Sequence, residues 1–524
     1  MISIKLNIFS DNDELIMKKQ KEYSYAFRKL YINYGKVKDS SFLNYLREKY
    51  KLSAFELNCL LIDVKTKINQ IQTEKNNIEN NIIFIQKELS KNNLKSKIRF
   101  KLNKKLSLLE KQLSKNITFG SKKLLQRITF LSNNSVKNKD VLIKVKNEYK
   151  GKRILPIYLV GNKCDYNSNR YFNFNFINQT IVYKPNVKNK ITLSYKVTNN
   201  YQKLLLKLQE VKDEKLLPIT VSLTTKYIIL SFDEEILNGY AFNEKDYFNE
   251  LKLIDKNNIE KRKELYIKYK NEQKERKLRN KNENRFLSFD LNPQYIGISV
   301  CDKTKEGYNI IHKEYFDLSL LSQKLGLSSE DLLTIKQGNK RKYEISCLWK
   351  YIFGKAKHYN CGFVVMEDLN FKPKVINMET KEFNRKVKNI WNLNYQKNLI
   401  NKYCQREGYI LVEVNPIYSS FIGNIENRYV DPVSSSIEIC RRGMVKYDKE
   451  GRIIPLVSKT NVDTMIELFK KSSLDVQLLK DCKQWNEYYY IFNKTKCKYR
   501  CELSDKDNLF SLNNIKSNVK HYCL

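Results

Sequence analysis

The sequence lacks any apolar run that approaches a membrane span, which excludes an integral helical membrane protein, since a spanning helix needs about 20 consecutive apolar residues. Its first ten residues, Met1 to Ser10, alternate polar and apolar positions and hold no continuous apolar core, so they read as a strand and not as a secretory signal. Ordered cysteine spacing is also missing. The 11 cysteines are odd in number and irregularly placed, which speaks against a disulfide framework and for a reducing, cytoplasmic setting. Cys497 and Cys501 form a CxxxC with no second pair at zinc-ribbon spacing; Cys482 and Cys523 are the candidates to join them, but ordinary reduced thiols and no structural zinc are expected. The last shortage is acid. Against 97 Lys and Arg stand 57 Asp and Glu, for a net charge of +40. Such a chain repels itself unless a polyanion neutralises it, so nucleic acid is the expected partner. A coding bias toward Lys and Asn can raise the basic count, yet it does not explain why the acids fail to keep pace.

What is present is length for several domains and a change of pattern along the chain. Ile2 to Phe9 alternates as a strand, and Asp11 to Glu14 signals a helix start ahead of Tyr23 to Tyr34. Ser53-Ala54-Phe55-Glu56 has the form of a capping box. Leu57, Leu61, Val64, Ile68, Ile71, Ile78, Ile82, Ile85 and Leu89 then recur at alternating spacings of four and three, which predicts a long helix; Leu102, Leu106, Leu109 and Leu113 form a second arm, giving an antiparallel helical hairpin. Short strands are predicted at Arg153 to Val160, Tyr171 to Phe176, Lys190 to Val197, Pro218 to Thr224 and Tyr227 to Phe232, in an antiparallel sheet or small barrel completed by residues 2 to 9. The helical block is then an insertion within a β domain. Residues 244 to 283 are charged with sparse apolar positions and read as a partly exposed linking helix.

The second half opens with Phe286 to Val300, a strand, the lone acid Asp290, an Asn-Pro turn and a second strand. Tyr308 to Tyr315 is a third strand, Ile345 to His358 a helix, and Cys361 to Leu369 a buried strand ending on Glu367 and Asp368. Strand side chains alternate faces, so only one of that acidic pair can point at a given site. A helix from Phe383 to Glu407, a strand from Tyr409 to Val414, a turn at Asn415 to Ser420 and a late helix from Asp431, with Pro432 favourably at its first turn, complete the order of an RNase H-like sheet. Asp290, Glu367 and Asp431 can converge on one sheet edge. Hydrolysis of a phosphodiester by two metal ions needs acids that hold the ions about 4 Å apart, and Mg2+ suits oxygen ligands. Taken singly, each acid has a plainer role: an Asx turn, a solvated strand end, a helix N-cap. In this order and on these elements the metal role is the better reading.

Phe289-Asp290-Leu291, Met366-Glu367-Asp368-Leu369 and Asn415-Pro416-Ile417-Tyr418-Ser419-Ser420 resemble the first and second motifs, and the turn before the third, of the RuvC nuclease in the transposon-encoded TnpB proteins and the type V CRISPR effectors. Ile117 to Leu124 is similar to a recurring segment of that family, so the likeness covers nearly the whole chain. It implies an α+β multidomain protein: residues 1–10 as the first strand of a wedge domain, 11–148 as a helical recognition insertion, 149–243 as the β-rich wedge, 244–284 as a linking helix and 285–524 as a RuvC-like nuclease domain. The implied activity is Mg2+-dependent endodeoxyribonuclease cutting of double-stranded DNA matched to a guide RNA beside a short flanking motif, with Asp290, Glu367 and Asp431 as ligands of two Mg2+ ions. Two features depart from the family. No cysteine lies between Ser419 and Asp431, so the usual zinc ribbon is missing there. In Asp431-Pro432-Val433-Ser434-Ser435, Val433 replaces an Asn and two serines replace alanines; Glu438, about two helical turns on and so on nearly the same face, is the runner-up third ligand. Lysine outnumbers arginine, which suits phosphate contact better than base reading. Arg28 and Lys29 among tyrosines, Lys122 and Lys123, and Arg441 and Arg442 on the late helix are the candidate nucleic-acid contacts. The other functions open at this stage are an RNA-guided DNA-binding repressor that does not cut, and an RNase H-like transposase or resolvase.

Overall fold

The computed structural model of the protein describes residues 2–90, 96–114, 119–133, 139–161, 168–186, 188–213, 217–242, 244–293, 295–318, 335–369 and 392–501. The chain divides into two compact units, Met1–Leu237 and Asn238–Leu524.

In the first unit, β1 (Ile2–Ser10) is followed by the helices Asp13–Ile32, Ser40–Lys49, Ala54–Leu89, Ser96–Leu113, Lys122–Asn133 and Lys139–Lys152, and then by β2 (Ile157–Leu159), β3 (Phe172–Asn175), β4 (Thr180–Tyr183), β5 (Ile191–Tyr195), the helix Asn199–Asp213, β6 (Thr220–Leu223) and β7 (Tyr227–Phe232). The sheet order is β2-β6-β7-β1-β5-β4-β3 with antiparallel neighbours throughout. β1 is therefore central. It buries Ile4, Leu6 and Ile8 and exposes Ser3, Lys5 and Asn7, the alternation of a strand with one face on a core. The Ser53–Glu56 capping box starts the 36-residue helix Ala54–Leu89, and Ser96–Leu113 packs against it. Lys122–Asn133 and Lys139–Lys152 fall at the end of the expected helical block, whereas the helix Asn199–Asp213, between two strands of the sheet, was not anticipated. The strand expected from Arg153 begins only at Ile157, since the preceding helix runs to Lys152.

In the second unit the expected single linking helix is two, Glu244–Leu253 and Ile259–Leu278; Asn258 caps the second by accepting from the Lys261 amide at 3.1 Å. Then come β8 (Asn282–Leu291), β9 (Tyr295–Thr304), β10 (Gly307–Asp317), the helix Ile335–His358, β11 (Cys361–Glu367), the helix Leu393–Glu407 and β12 (Ile410–Val414). The sheet order is β10-β9-β8-β11-β12. β8, β9 and β10 are antiparallel, and β11 runs parallel to both β8 and β12. This is the order 3-2-1-4-5 of an RNase H-like sheet.

Helices cover both faces, so every residue of β11 is buried. Leu287, Phe289, Val364 and Met366 pack against Trp349, Ile352 and Ile400 on one face. Phe286, Phe363, Val365, Val412 and Val414 pack against Ile439, Cys440 and Met444 of the helix Asp431–Asp448 on the other. The Phe286 and Phe363 rings stack across the strands with centroids 4.3 Å apart, and full burial of each such side chain contributes roughly 1.5–3 kcal/mol. The helices Ser419–Asn427, Lys459–Lys471 and Trp485–Thr495 form a further core around Phe421, Met465, Trp485 and Phe492. Among the described residues no helix is long and apolar enough to cross a membrane. The bend of the hairpin at 91–95, the start of the helix expected from Phe383, part of the Ile117 to Leu124 segment, and Cys523 lie outside the described residues.

Candidate functional site

Strand alternation and register bring the first two acids together. Phe289 pairs with Met366 between the parallel strands β8 and β11, so Asp290 and Glu367, one residue further along each, lie side by side on strands whose backbones run about 4.8 Å apart. Phe289 and Met366 point into the core under the helices Ile335–His358 and Leu393–Glu407, so the two acids point to the opposite face, toward Asp431–Asp448. Asp431 opens that helix, with Pro432 in its first turn.

The helix reaches the sheet because the contact is lined by small residues. A Cβ on Gly297, which pairs with Asp290 on β9, would lie 1.9 Å from the Pro432 carbonyl oxygen. One on Gly443 would meet the Val365 methyls at 2.5 Å, and one on Gly423 the Ser434 carbonyl oxygen at 2.3 Å. Ser434, Ser435 and Ser436 are wholly buried in this seam, and Ser288 Oγ donates to the Ser436 carbonyl at 2.7 Å. The serines that replace alanines after Asp431 thus keep the small size the approach needs, while Val433 packs beside Tyr315 and Ile437. Gly297→Ala is expected to destabilise the protein by about 1–3 kcal/mol, the usual scale of overpacking, and to move Asp431 off Asp290. Chemical denaturation checks this: an unchanged midpoint and slope would mean that the helix start is not seated on Gly297.

Asp290 and Glu367 are buried, Asp431 is half-buried, and the other two are close enough to Asp290 to raise its proton affinity. Burial pushes the Asp290 carboxyl well above its usual range, and the charges of Glu367 and Asp431 push it further, against a hydrogen bond from Asn292. Glu367 is raised by burial and partly relieved by Ser419, whose Oγ donates to Oε1 at 2.6 Å, and by Arg442. Asp431 is raised by burial and relieved by Arg500, whose Nε stands 3.5 Å from Oδ1, and by Asn424, whose Nδ2 donates to Oδ1 at 2.7 Å. Asn424 Oδ1 is buried with no hydrogen-bond partner. The all-oxygen donors suit a hard divalent cation in kind, and the buried like charges of Asp290 and Glu367, with the half-buried Asp431 nearby, favour a positive charge among them. As placed, no three His, Cys, Asp or Glu side chains among the described residues form a group that could hold a metal ion.

A cleft of about 610 Å³ adjoins Asp431 and is lined by Tyr295, Tyr489, Lys498, Tyr499 and Arg500. Ser419, Asn424, Asn292 and Arg500 were not found from sequence. Ser419 stands within the Asn415 to Ser420 motif, which reads as a turn; a helix starts inside it after Tyr418, whose φ of 60° is left-handed, with no side-chain cap to signal it.

Glu438 is not a third ligand. Its Oε2 accepts from Arg441 Nε at 2.7 Å, and its Oε1 accepts from Arg441 Nη2 at 2.9 Å and Arg442 Nε at 2.7 Å, so its charge is already neutralised within its own helix. The same pairing takes Arg442 away from nucleic acid. It is fully buried, and its Nη1 donates to the Asn415 and Ile417 carbonyls at 2.6 and 2.8 Å. Arg441 also donates to the Ile453 carbonyl at 2.6 Å. In the first unit Lys29, Lys122 and Lys123 are exposed, while Arg28 is half-buried, stacked over Tyr25 at 4.8 Å and donating to the Arg153 carbonyl at 3.0 Å.

No protein-family model matches the chain, and no curated protein does. Among solved structures it is similar to a Thermus thermophilus RuvC in complex with Holliday junction substrate, at 9% identity over 31% of this chain and 96% of that one, with a TM-score of 0.22. A second Thermus thermophilus RuvC structure matches at 8% identity over 32% and 96%, with a TM-score of 0.22. The yeast mitochondrial Holliday junction resolvase Ydc2 matches at 13% identity over 48% and 88%, with a TM-score of 0.18. Overlaps this slight add nothing to the geometry above.

Proposed function

We propose that this chain is an RNA-guided endonuclease that hydrolyses phosphodiester bonds in a guide-matched DNA duplex beside a short flanking motif, with Asp290, Glu367 and Asp431 as its catalytic carboxylates. What supports the reading is that strand register sets Asp290 beside Glu367 and that Asp431, at the start of Asp431–Asp448, is near enough for its charge to act on Asp290. The three acids would hold Mg2+, which when bound supplies an activated water and stabilises the leaving oxygen. Asn292, Ser419 and Asn424 orient the carboxylates by neutral hydrogen bonds, so the set is arranged before substrate arrives. The neighbouring cleft offers cations for phosphates and tyrosine rings for stacked bases. The net charge of +40, mostly lysine, fits a protein that tracks backbones while base pairing reads sequence.

The test is to isolate the protein from cells that carry its own genomic neighbourhood, sequence the RNA that comes with it, and offer a matching duplex. A discrete RNA and Mg2+-dependent cutting confined to the match are expected. Guide-dependent binding with the duplex left intact would replace this reading with a repressor, and RNA-independent cutting of branched DNA would replace it with a resolvase.

A further inference from the structure

A second feature of the unit Asn238–Leu524 takes no part in the carboxylate site. A pocket of about 590 Å³ opens at the other end of the sheet, where the turns leading into β8 and β11 meet. The two turns are tied by the Asn282 amide, which donates to the Asn360 carbonyl at 2.9 Å. Its wall is built, not incidental: Gly408 has a left-handed φ of 70°, and a Cβ there would lie 2.6 Å from the Tyr240 ring, so the ring is seated on bare glycine. Arg276, Lys277, Arg279, Lys281 and Lys357 line the pocket against one acid, Glu407.

Part of this charge serves the fold. Lys281 Nζ donates to the Glu407 and Gly408 carbonyls at 2.5 and 2.6 Å, neutralising the end of the helix Leu393–Glu407, and lies over the Tyr409 ring at 4.4 Å. Arg276 Nη1 donates to the Ala241 carbonyl at 2.9 Å. Those contacts do not account for Arg279 and Lys357. Both are exposed, Arg279 just after the helix Ile259–Leu278 and Lys357 at the end of the helix Ile335–His358, both lining this pocket, and neither makes an ion pair with a described residue. Cations gathered around a concave surface with one acid among them repel one another until an anion enters. The volume is that of a ligand site, and the polar groups on offer are donors suited to phosphate oxygens.

We propose that this pocket is a phosphate-binding anchor for a polynucleotide backbone, remote from the place of cutting. Asn282 and Asp290 are eight residues apart on β8, about 26 Å at 3.3 Å per residue. A phosphate held here is therefore not the one beside the carboxylates, and a strand in helical, stacked geometry that touches both places spans about eight nucleotides at 3.4 Å each. The inference rests on the reading of the chain as a polynucleotide-handling protein and is independent of whether it cuts.

The test is binding of a labelled DNA duplex, a labelled single-stranded RNA and ATP to the full chain in EDTA, between about 50 and 200 mM salt. Arg279→Ala with Lys357→Ala is compared with Lys470→Ala with Lys471→Ala, an equal loss of exposed charge on the helix Lys459–Lys471. The pocket pair is expected to weaken polynucleotide binding about tenfold and to reduce the salt slope by nearly 2, as the loss of two phosphate contacts requires. The control pair is expected to stay within about twofold of the parent, and ATP alone to bind no more tightly to the parent than to the pocket variant. Equal losses from both pairs, or unchanged polynucleotide binding by the pocket variant, would overturn the proposal. So would saturable ATP binding that the pocket pair abolishes while polynucleotide binding persists, since the occupant would then be a free nucleotide. Every readout here is binding in EDTA, where no metal-dependent cutting occurs, so failure to cut and failure of this anchor are read separately.

Discussion

Asp290→Asn is expected to abolish cutting, by at least about 10³-fold as for one member of a set that acts as a unit, and yet to raise the thermal midpoint of the metal-free protein. Both effects have one cause. Asp290 is buried beside Glu367 and Asp431, so its negative charge opposes folding unless a cation is present. Asn keeps the shape and can still accept the Asn292 hydrogen bond, so little packing is lost. The pH dependence follows from the direction of the shift. A carboxyl whose pKa is higher in the folded than in the unfolded chain binds its proton more tightly when folded. Its penalty is absent below the unfolded value of about 3.9, grows as pH rises toward the folded pKa and is complete above it. Glu367 and Asp431 are shifted the same way and add to it. In EDTA the difference in midpoint between Asp290→Asn and the parent should therefore be small near pH 4 and largest at pH 8. Added Mg2+ at pH 8 should stabilise the parent more than the variant. Scanning calorimetry of both proteins, with and without Mg2+, measures this. A variant less stable than the parent in EDTA at pH 8, or one that still cuts, would remove Asp290 from the site.

Breaking the Glu438–Arg442 pair is expected to cost more stability than any other change considered above. The two side chains are wholly buried and joined at 2.7 Å. Arg442→Met conserves bulk but strands Glu438 with Arg441 alone and releases the Asn415 and Ile417 carbonyls. Removing one partner of a buried pair costs about 3–5 kcal/mol, a large share of the roughly 5–15 kcal/mol that holds a domain together. Adding Glu438→Gln to Arg442→Met should recover part of the loss, because the uncompensated charge is then gone. Urea unfolding of the single and double variants decides this; equal stability of Arg442→Met and the parent would mean the pair is not buried as described. Activity should fall too. The carbonyls that Arg442 holds lie just before Ser419, which positions Glu367, so the loss is a change of orientation and not of a reacting group.

How much of this could be read from the chain alone depended on how local the signal was. Alternating apolar residues and the Asn-Pro turn placed Asp290 on a strand; a continuous apolar run ending in Glu367-Asp368 marked a buried parallel strand, and the order of elements pointed to the 3-2-1-4-5 sheet. The seam of the long helix and its capping box were equally legible. Glu438, Arg441 and Arg442 misled because charged residues three and four apart on a helix look alike whether they face solvent or the interior. Ser419 and Asn424 were hidden by a helix that begins without a cap inside a turn-like motif.

By itself, then, the sequence determined the polyanion-seeking charge, the strands and helices with strong periodicity, and the three acids at the ends of their elements. Only the tertiary structure decided that Asp290 and Glu367 face the helix that Asp431 opens, that Glu438 is held by Arg441 and Arg442, and that five cations from the ends of two helices and the turn into β8 gather at the far end of the sheet. Periodicity and capping act over a few residues and are written in neighbouring positions. The site depends on how closely the helix Asp431–Asp448 can approach the sheet, which is set by Gly297 meeting Pro432 across 135 positions of chain.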